Sequence, residues 1–153
     1  MLSVARLTLI PIGKKLKKWN SMSTKIIVDT SVWIDFFRSA DSPHTLHLTR
    51  LLREERVILQ GLVLAEVIQG IKTQKESGIV KRALQKLPYI EMTREVWEKA
   101  GEISASLLRK GITIPLSDVI VASCAVSEDM EVFTLDSHYK KIPGLKLHRH
   151  TLT

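Results

Sequence analysis

Four acidic residues of this sequence stand in surroundings that are otherwise apolar. They are Asp29 after the run 26–28, Glu66 within the run 62–68, Asp118 before the mostly apolar segment 119–126, and Asp136 after the segment 131–135. Taken singly, Asp29 could cap a helix, Asp118 could be an ordinary first-turn acid, and Asp136 could begin a turn. Glu66 resists such an explanation, because burying an unpaired charge is costly and its segment offers almost no polar face.

If these four carboxylates converge, their chemistry is that of a metal site. Two carboxylates about 4 Å apart repel each other by roughly 4 kcal/mol at an effective dielectric constant near 20, and four cost more. A divalent cation removes this repulsion, and oxygen ligands without His or Cys select a hard ion, Mg²⁺ or Mn²⁺. Such an ion activates water, orients a phosphate and stabilises the leaving oxygen, which is the usual apparatus of phosphodiester cleavage. Jointly, the four positions therefore favour a nuclease-type metal site.

The hydrophobic pattern predicts short strands alternating with helices, an arrangement that could bring the acids together. Strands are predicted at 25–29, 57–59, 89–91, 131–135 and 145–147, and helices directly after the first strand and at 44–54, 62–75, 77–86, 94–110 and 117–126. Thr30 and Ser31 are expected to cap the first helix and Ser117 the last. Alternating strands and helices indicate a parallel sheet covered on both faces, and such sheets bind ligands at the carboxyl ends of their strands. Asp29 and Asp136 each follow a strand and would lie at this edge.

Length and composition indicate a single compact domain. The chain has 153 residues, too few for two domains of ordinary size, and its 44% apolar content is enough to form a hydrophobic core. Cys124 is the only cysteine, which excludes a disulfide framework, and we interpret it as a small buried hydrophobe. No apolar stretch approaches the ~20 residues of a membrane span. We therefore expect a cytoplasmic protein without a membrane partner.

The first 21 residues differ from the rest of the chain in charge. They hold five basic residues and no acid, and the remainder contributes only two positive charges to the formal net charge of +7. We expect a dispensable basic extension over 1–21, with Met22 as a true or alternative start, and the nuclease domain over 22–153. A nucleic-acid or membrane-surface arm and a targeting segment are the other interpretations of this extension.

Each of the four acids lies in a longer segment, and these segments are 27–36, 64–70, 114–122 and 132–139. In their residues, order and spacing across 25–147 they resemble the PIN-domain ribonucleases, and among them the VapC-like toxins of toxin–antitoxin pairs. The resemblance implies a three-layer α/β/α domain with a central, mainly parallel sheet of four to five strands. It also implies Mg²⁺- or Mn²⁺-dependent cleavage of RNA, a homodimer, and an antitoxin partner that covers the acidic site.

The resemblance further implies roles for individual residues. The three core acids of the family and its more variable fourth correspond, in order, to Asp29, Glu66, Asp118 and Asp136. Asp29 and Asp118 would be the principal metal ligands, and the other two acids would complete the site or position water. Thr134 matches a hydroxyl position near the site and would hydrogen-bond an acid or the phosphate. Ser31 could do likewise, or it could only cap the first helix.

One position departs from the family pattern. The family often has Ser or Thr three residues before the helix glutamate, and this chain has Val63 there. Gly61 is then the expected substitute cap of that helix, and the four acids are unaffected.

Two further features have competing interpretations. We interpret His138 as a polar turn residue rather than a general acid, because metal-bound water makes a histidine base unnecessary. A basic stretch on the middle helices could contact RNA phosphates, although solvated helix faces usually have this composition. It consists of Lys72, Lys75, Lys81, Arg82 and Lys86.

Three other functions are alternatives to a toxin ribonuclease. The same four acids would serve a PIN-like nuclease that processes RNA or acts on DNA ends. A catalytically silent RNA- or protein-binding module is disfavoured because none of the acids is missing. A phosphatase with an aspartyl phospho-acceptor is weaker still, since the second aspartate expected two residues after Asp29 is Ser31.

Overall fold

The computed structural model describes residues 5–10 and 23–150, which form one sheet flanked by helices. The strands are β1 (Ile26–Val28), β2 (Val57–Gln60), β3 (Tyr89–Ile90), β4 (Glu131–Phe133) and β5 (Lys146–Leu147). The helices are α1 (Ala5–Leu9), α2 (Thr30–Arg38), α3 (Pro43–Arg53), α4 (Gly61–Gln69), α5 (Gln74–Leu84), α6 (Arg94–Arg109), α7 (Leu116–Ser127) and a 3-10 helix (Ser137–Lys141). The predicted α/β/α architecture with five strands is confirmed. Within these two ranges no helix has the length and apolar character to cross a membrane.

The sheet is parallel throughout, and its strand order places the carboxyl ends of β1 and β4 side by side. The order is β3-β2-β1-β4-β5, so the chain builds outward from β1 and then returns to its other side at β4. Val28 is opposite Phe133 at the last register position, and the next residues, Asp29 and Thr134, leave the sheet together. A reversal of strand order opens a crevice at the carboxyl edge, where sheets of this kind bind ligands.

Burial on both faces explains the composition of the central elements. Ile26, Ile27 and Val28 of β1 are at most 1% exposed, as expected for a parallel strand covered by helices on both sides. The predicted burial of the last apolar helix is also confirmed, because α7 contacts α6, β1 and β4. Cys124 lies in this buried part of α7, so its interpretation as a buried hydrophobe is correct.

Two predicted helix caps near the acids are wrong, although α2 begins directly after the first strand segment as predicted and Asp29 caps it, as the single-residue alternative allowed. Helix α2 begins at Thr30, and the residue that caps it is Asp29, whose side chain accepts from the Ser31 amide. Helix α7 begins at Leu116, and Ser117 lies inside its first turn rather than before it. In both helices the Ser or Thr residues expected to cap the helix lie inside its first turn instead.

The start of α4 also differs from the prediction. Gly61 is the first residue of the helix and does not cap it. The cap is Gln60, whose side-chain Oε1 accepts from the amides of Leu62 and Val63 at 2.8 and 3.2 Å. The helix ends at Gln69 rather than at residue 75, since the chain leaves helical geometry before α5 begins.

Part of the basic extension packs on the core. Leu7 is 1% exposed and Ile10 is 6% exposed, and α1 contacts α5. Met22 lies outside the described residues. That residues 1–21 form a dispensable extension stays a prediction.

Candidate metal centre

Asp29 lies at the end of β1 and is held by hydroxyl groups on both carboxylate oxygens. Its Oδ2 accepts from Ser31 Oγ at 2.6 Å and from Thr134 Oγ1 at 2.8 Å, and its Oδ1 accepts from Tyr139 Oη at 2.9 Å. Asp29 is 6% exposed. These donors come from α2, from the residue after β4 and from the 3-10 helix, so three elements fix one carboxylate.

Tyr139 is a buried hydroxyl donor that the sequence reasoning did not include in the site. It is 1% exposed. Burial raises the pKa of Tyr139 far above its usual range, and the charges of Asp29, Asp118 and Glu66 raise it further. The phenol therefore stays protonated and can only donate to the Asp29 carboxylate.

Asp118 lies in the first turn of α7 and has no such donors. Its Oδ2 is buried and has no hydrogen-bond partner among the described residues. Burial raises the pKa of Asp118 from its ordinary 3.8 to about 6. The charges of Asp29, Asp136 and Glu66 add to this rise, whereas His138 lowers it. All three acids are thus close enough to Asp118 to act on it electrostatically.

Asp136 and His138 lie beside Asp118 at the start of the 3-10 helix. His138 Nδ1 is 3.1 Å from Asp136 Oδ1 and 3.6 Å from Asp118 Oδ2. Neither contact has hydrogen-bond geometry, since Nδ1 has no hydrogen-bond partner in the part of the chain that the structure describes. One potential ligand atom from each of these three residues lies within 4.8 Å of the other two. The interpretation of His138 as a turn residue thus missed its position among the acids.

Glu66 is partly buried on α4 and is oriented from the neighbouring helix. Thr30 Oγ1 donates to Glu66 Oε2 at 2.6 Å, so Thr30, predicted as a helix cap, instead orients this acid. The contact joins the start of α2 to α4, so the segment that carries Asp29 also orients Glu66.

The six residues predicted for the site all lie at this carboxyl edge, and three more join them. The predicted set is Asp29, Glu66, Asp118, Asp136, Thr134 and Ser31, and the additional residues are Thr30, His138 and Tyr139. Each addition is a polar residue within three positions of a predicted acid. That proximity was the available signal, although the direction of each side chain depends on turns that the hydrophobic pattern does not specify.

Comparisons with known proteins identify relatives of the whole domain. The family model described as PIN domain matches residues 26–145. A VapC ribonuclease of Mycobacterium bovis is 24% identical over 121 residues, which cover 76% of this chain and 90% of the relative. Among solved structures, DNA-bound VapBC from Salmonella typhimurium matches with a TM-score of 0.71 and 21% identity, covering 82% of this chain and 98% of that one.

A second solved structure has the same architecture. It is a toxin–antitoxin complex from Klebsiella pneumoniae, which matches with a TM-score of 0.61 and 21% identity over 79% of this chain and 95% of that one. At this level of identity, the two structural matches establish similarity of fold alone.

Proposed function

Because this chain belongs to the PIN-domain family, we propose that it is a divalent-metal-dependent endoribonuclease that acts as the toxin of a toxin–antitoxin pair. The observation that carries the proposal is the buried Oδ2 of Asp118, which has no hydrogen-bond partner among the described residues and lies in a cluster of potential ligand atoms with Asp136 and His138. A buried carboxylate oxygen without a donor is costly, and a cation at this position would satisfy it. The ribonuclease activity of the M. bovis relative supports RNA as the substrate.

The residues present fit a divalent ion. Asp118, Asp136 and His138 would hold it directly, since their ligand atoms lie within 4.8 Å of one another. Asp29 and Glu66 would complete the negative charge around it. Carboxylates favour Mg²⁺ or Mn²⁺, and a histidine nitrogen shifts the preference toward Mn²⁺ relative to an all-oxygen site. When bound, the ion would supply the positive charge that polarises the scissile phosphate and lowers the pKa of a water molecule.

The side chains of this chain have separate tasks in the proposed reaction. Ser31, Thr134 and Tyr139 keep the Asp29 carboxylate in one orientation by donating to both of its oxygens. Thr30 does the same for Glu66, which would orient the attacking water. Fixed carboxylates lose no free energy to reorganisation when negative charge develops on the phosphate, and such preorganisation is a large part of enzymatic rate enhancement.

The partners are proposed on the same basis. An antitoxin that covers the acidic site is supported by the fold shared with the K. pneumoniae toxin–antitoxin complex. A homodimer and the domain limits 22–153 follow only from the resemblance and the charge pattern. A PIN-like nuclease of RNA processing would use the same site. Two observations would distinguish the two functions: the specificity of RNA cleavage, and whether a gene for an antitoxin lies beside the gene for this protein.

The test is cleavage of a mixed RNA pool by purified protein with Mg²⁺, with Mn²⁺ and with EDTA. We expect metal-dependent cleavage that Asp118→Asn reduces by at least 100-fold. Asp41→Asn is the matched control, because Asp41 is an exposed aspartate between α2 and α3. Equal cleavage by wild type and Asp118→Asn would indicate a contaminating nuclease, and metal binding without any cleavage would favour the silent module.

A further inference from the structure

A groove leads away from the acidic site toward the edge of the sheet at β5. It has a volume of about 740 Å³ and runs between the 3-10 helix and the segment 145–149. Thr134 and Asp136 belong both to the groove and to the candidate metal centre. A polymeric substrate bound at the metal centre could therefore continue directly into the groove.

The walls of this groove are basic. Lys140 lies on one side, and Lys146 and Arg149 lie on the other. Lys146 is paired with Asp129 at 2.6 Å, whereas Lys140 and Arg149 are exposed and have no ion-pair partner within residues 23–150. Asp136 is the only acidic residue among those that line the groove. Two cations are thus free to bind an anion.

The floor and rim of the groove suit a nucleic acid strand better than a small anion. Leu145 and Leu147 contribute apolar surface, and Leu135 is 44% exposed beside the acids. Ser137 and Thr134 add hydroxyl groups. Single-stranded nucleic acid combines phosphates with apolar base faces, and sites for it combine cations with apolar platforms.

The basic stretch predicted as a possible RNA contact lies elsewhere on the described part of the chain. The basic stretch of the middle helices lies on and around α5, which precedes β3 at the opposite edge of the sheet. None of its five residues lines the groove. The two surfaces thus offer the substrate alternative paths, and the groove is the one whose lining includes residues of the candidate metal centre.

We propose that this groove binds the RNA strand adjacent to the scissile phosphate, with Lys140 and Arg149 contacting its backbone. This inference rests on the proposed function and extends it by assigning the path of the substrate. Neutralising two phosphates of a single strand contributes about 1.4 to the slope of log affinity against log salt concentration, at about 0.7 for each phosphate.

Binding is measured without cleavage, so that the inference can fail independently of the proposed function. Fluorescein-labelled single-stranded RNA is titrated with metal-free Asp118→Asn protein in EDTA at several salt concentrations, and fluorescence anisotropy is followed. We expect Lys140→Gln with Arg149→Gln to weaken binding at least tenfold and to reduce the salt slope by about 1.4. The matched control is Lys81→Gln with Arg82→Gln on α5, which removes the same charge from exposed positions and should leave both quantities unchanged.

Each result decides the inference. The proposed path is wrong if the double variant of Lys140 and Arg149 has no effect, or if the control double variant on α5 weakens RNA binding as much. It is also wrong if the double variant of Lys140 and Arg149 weakens binding of polyglutamate but not of RNA, because the groove would then bind an acidic protein segment. Groove-dependent RNA binding by a protein that never cleaves RNA would support the groove and refute the proposed enzyme.

Discussion

Replacement of Asp118 by Asn should stabilise the metal-free protein at neutral pH. The folded-state pKa of about 6, against an ordinary 3.8, is a shift of about two units, which corresponds to about 3 kcal/mol at 1.36 kcal/mol per unit. Because the folded pKa is raised, the ionised carboxylate destabilises the fold. This penalty is absent at about pH 3, where the folded and unfolded chains are both largely protonated, grows between about pH 4 and 6, and is complete above about pH 7.

An asparagine at this position would remove the charge without losing a known hydrogen bond. The Asp118 side chain is 15% exposed, and its Oδ2 has no donor among the described residues. After allowance for partial solvent screening, we expect a gain of about 2 kcal/mol at pH 7.5, which corresponds to roughly 4–8 °C in Tm for a domain of this size. At pH 5 about half of this difference should remain.

Differential scanning calorimetry in EDTA at pH 5.0 and 7.5, repeated with Mg²⁺, measures this effect. Wild type should gain stability on addition of Mg²⁺ at pH 7.5, since an ion that binds only the folded state stabilises it, and Asp118→Asn should gain much less. Asp41→Asn should behave as wild type. A variant that is equally or less stable than wild type in EDTA at pH 7.5 would refute the inference that this carboxylate is repelled and unsatisfied.

Three other expectations follow from the contacts and burial of individual side chains. Tyr139→Phe keeps the buried ring but removes the donor to Asp29, so the Mg²⁺ concentration for half-maximal cleavage and for half-maximal thermal stabilisation should both rise several-fold; unchanged values would mean that the hydroxyl does not position the carboxylate. Burial and neighbouring cations lower the pKa of His47 from 6.5 to about 4, so up to about 3 kcal/mol of stability should be lost as pH falls from 6.5 toward 4, and His47→Gln should flatten that part of a pH–denaturation profile. Leu7→Ala should cost about 2–5 kcal/mol in urea denaturation, because Leu7 is 1% exposed, whereas Leu9→Ala should be near neutral because Leu9 is 81% exposed.

The acids were predictable because their chemistry conflicts with their surroundings. A carboxylate directly after a buried strand, such as Asp29, or inside an apolar helix, such as Glu66, needs a reason that the core does not provide. The parallel sheet was predictable for a related reason, since short apolar strands separated by helices have few alternative arrangements. Patterns of burial over several residues therefore carried both predictions.

Single side-chain directions were not predictable in the same way. Gln60 caps α4 through its own side chain, although glutamine is not among the residues that usually cap helices. His138 reaches Asp118 and Asp136 because the chain forms a 3-10 helix three residues after β4, and nothing in the hydrophobic periodicity distinguishes that turn from a loop. Such contacts depend on one or two backbone torsions, which tertiary packing sets.

Asp29 and Asp118 have the same side chain in the same site, yet their surroundings give them different tasks. Asp29 receives donors on both oxygens, so its charge is satisfied whether or not a cation is bound. Asp118 has an oxygen without a donor and a raised pKa, so its charge is satisfied only when a cation arrives. The fold can therefore form around Asp29 in the absence of metal. The unpaired charge of Asp118 destabilises the metal-free protein, and metal binding removes this cost. Metal affinity should therefore depend on pH through Asp118 and on the orientation of the carboxylate through Asp29. Moving the hydroxyl donors from Asp29 to Asp118 would loosen the first carboxylate and weaken the attraction of the second for a cation.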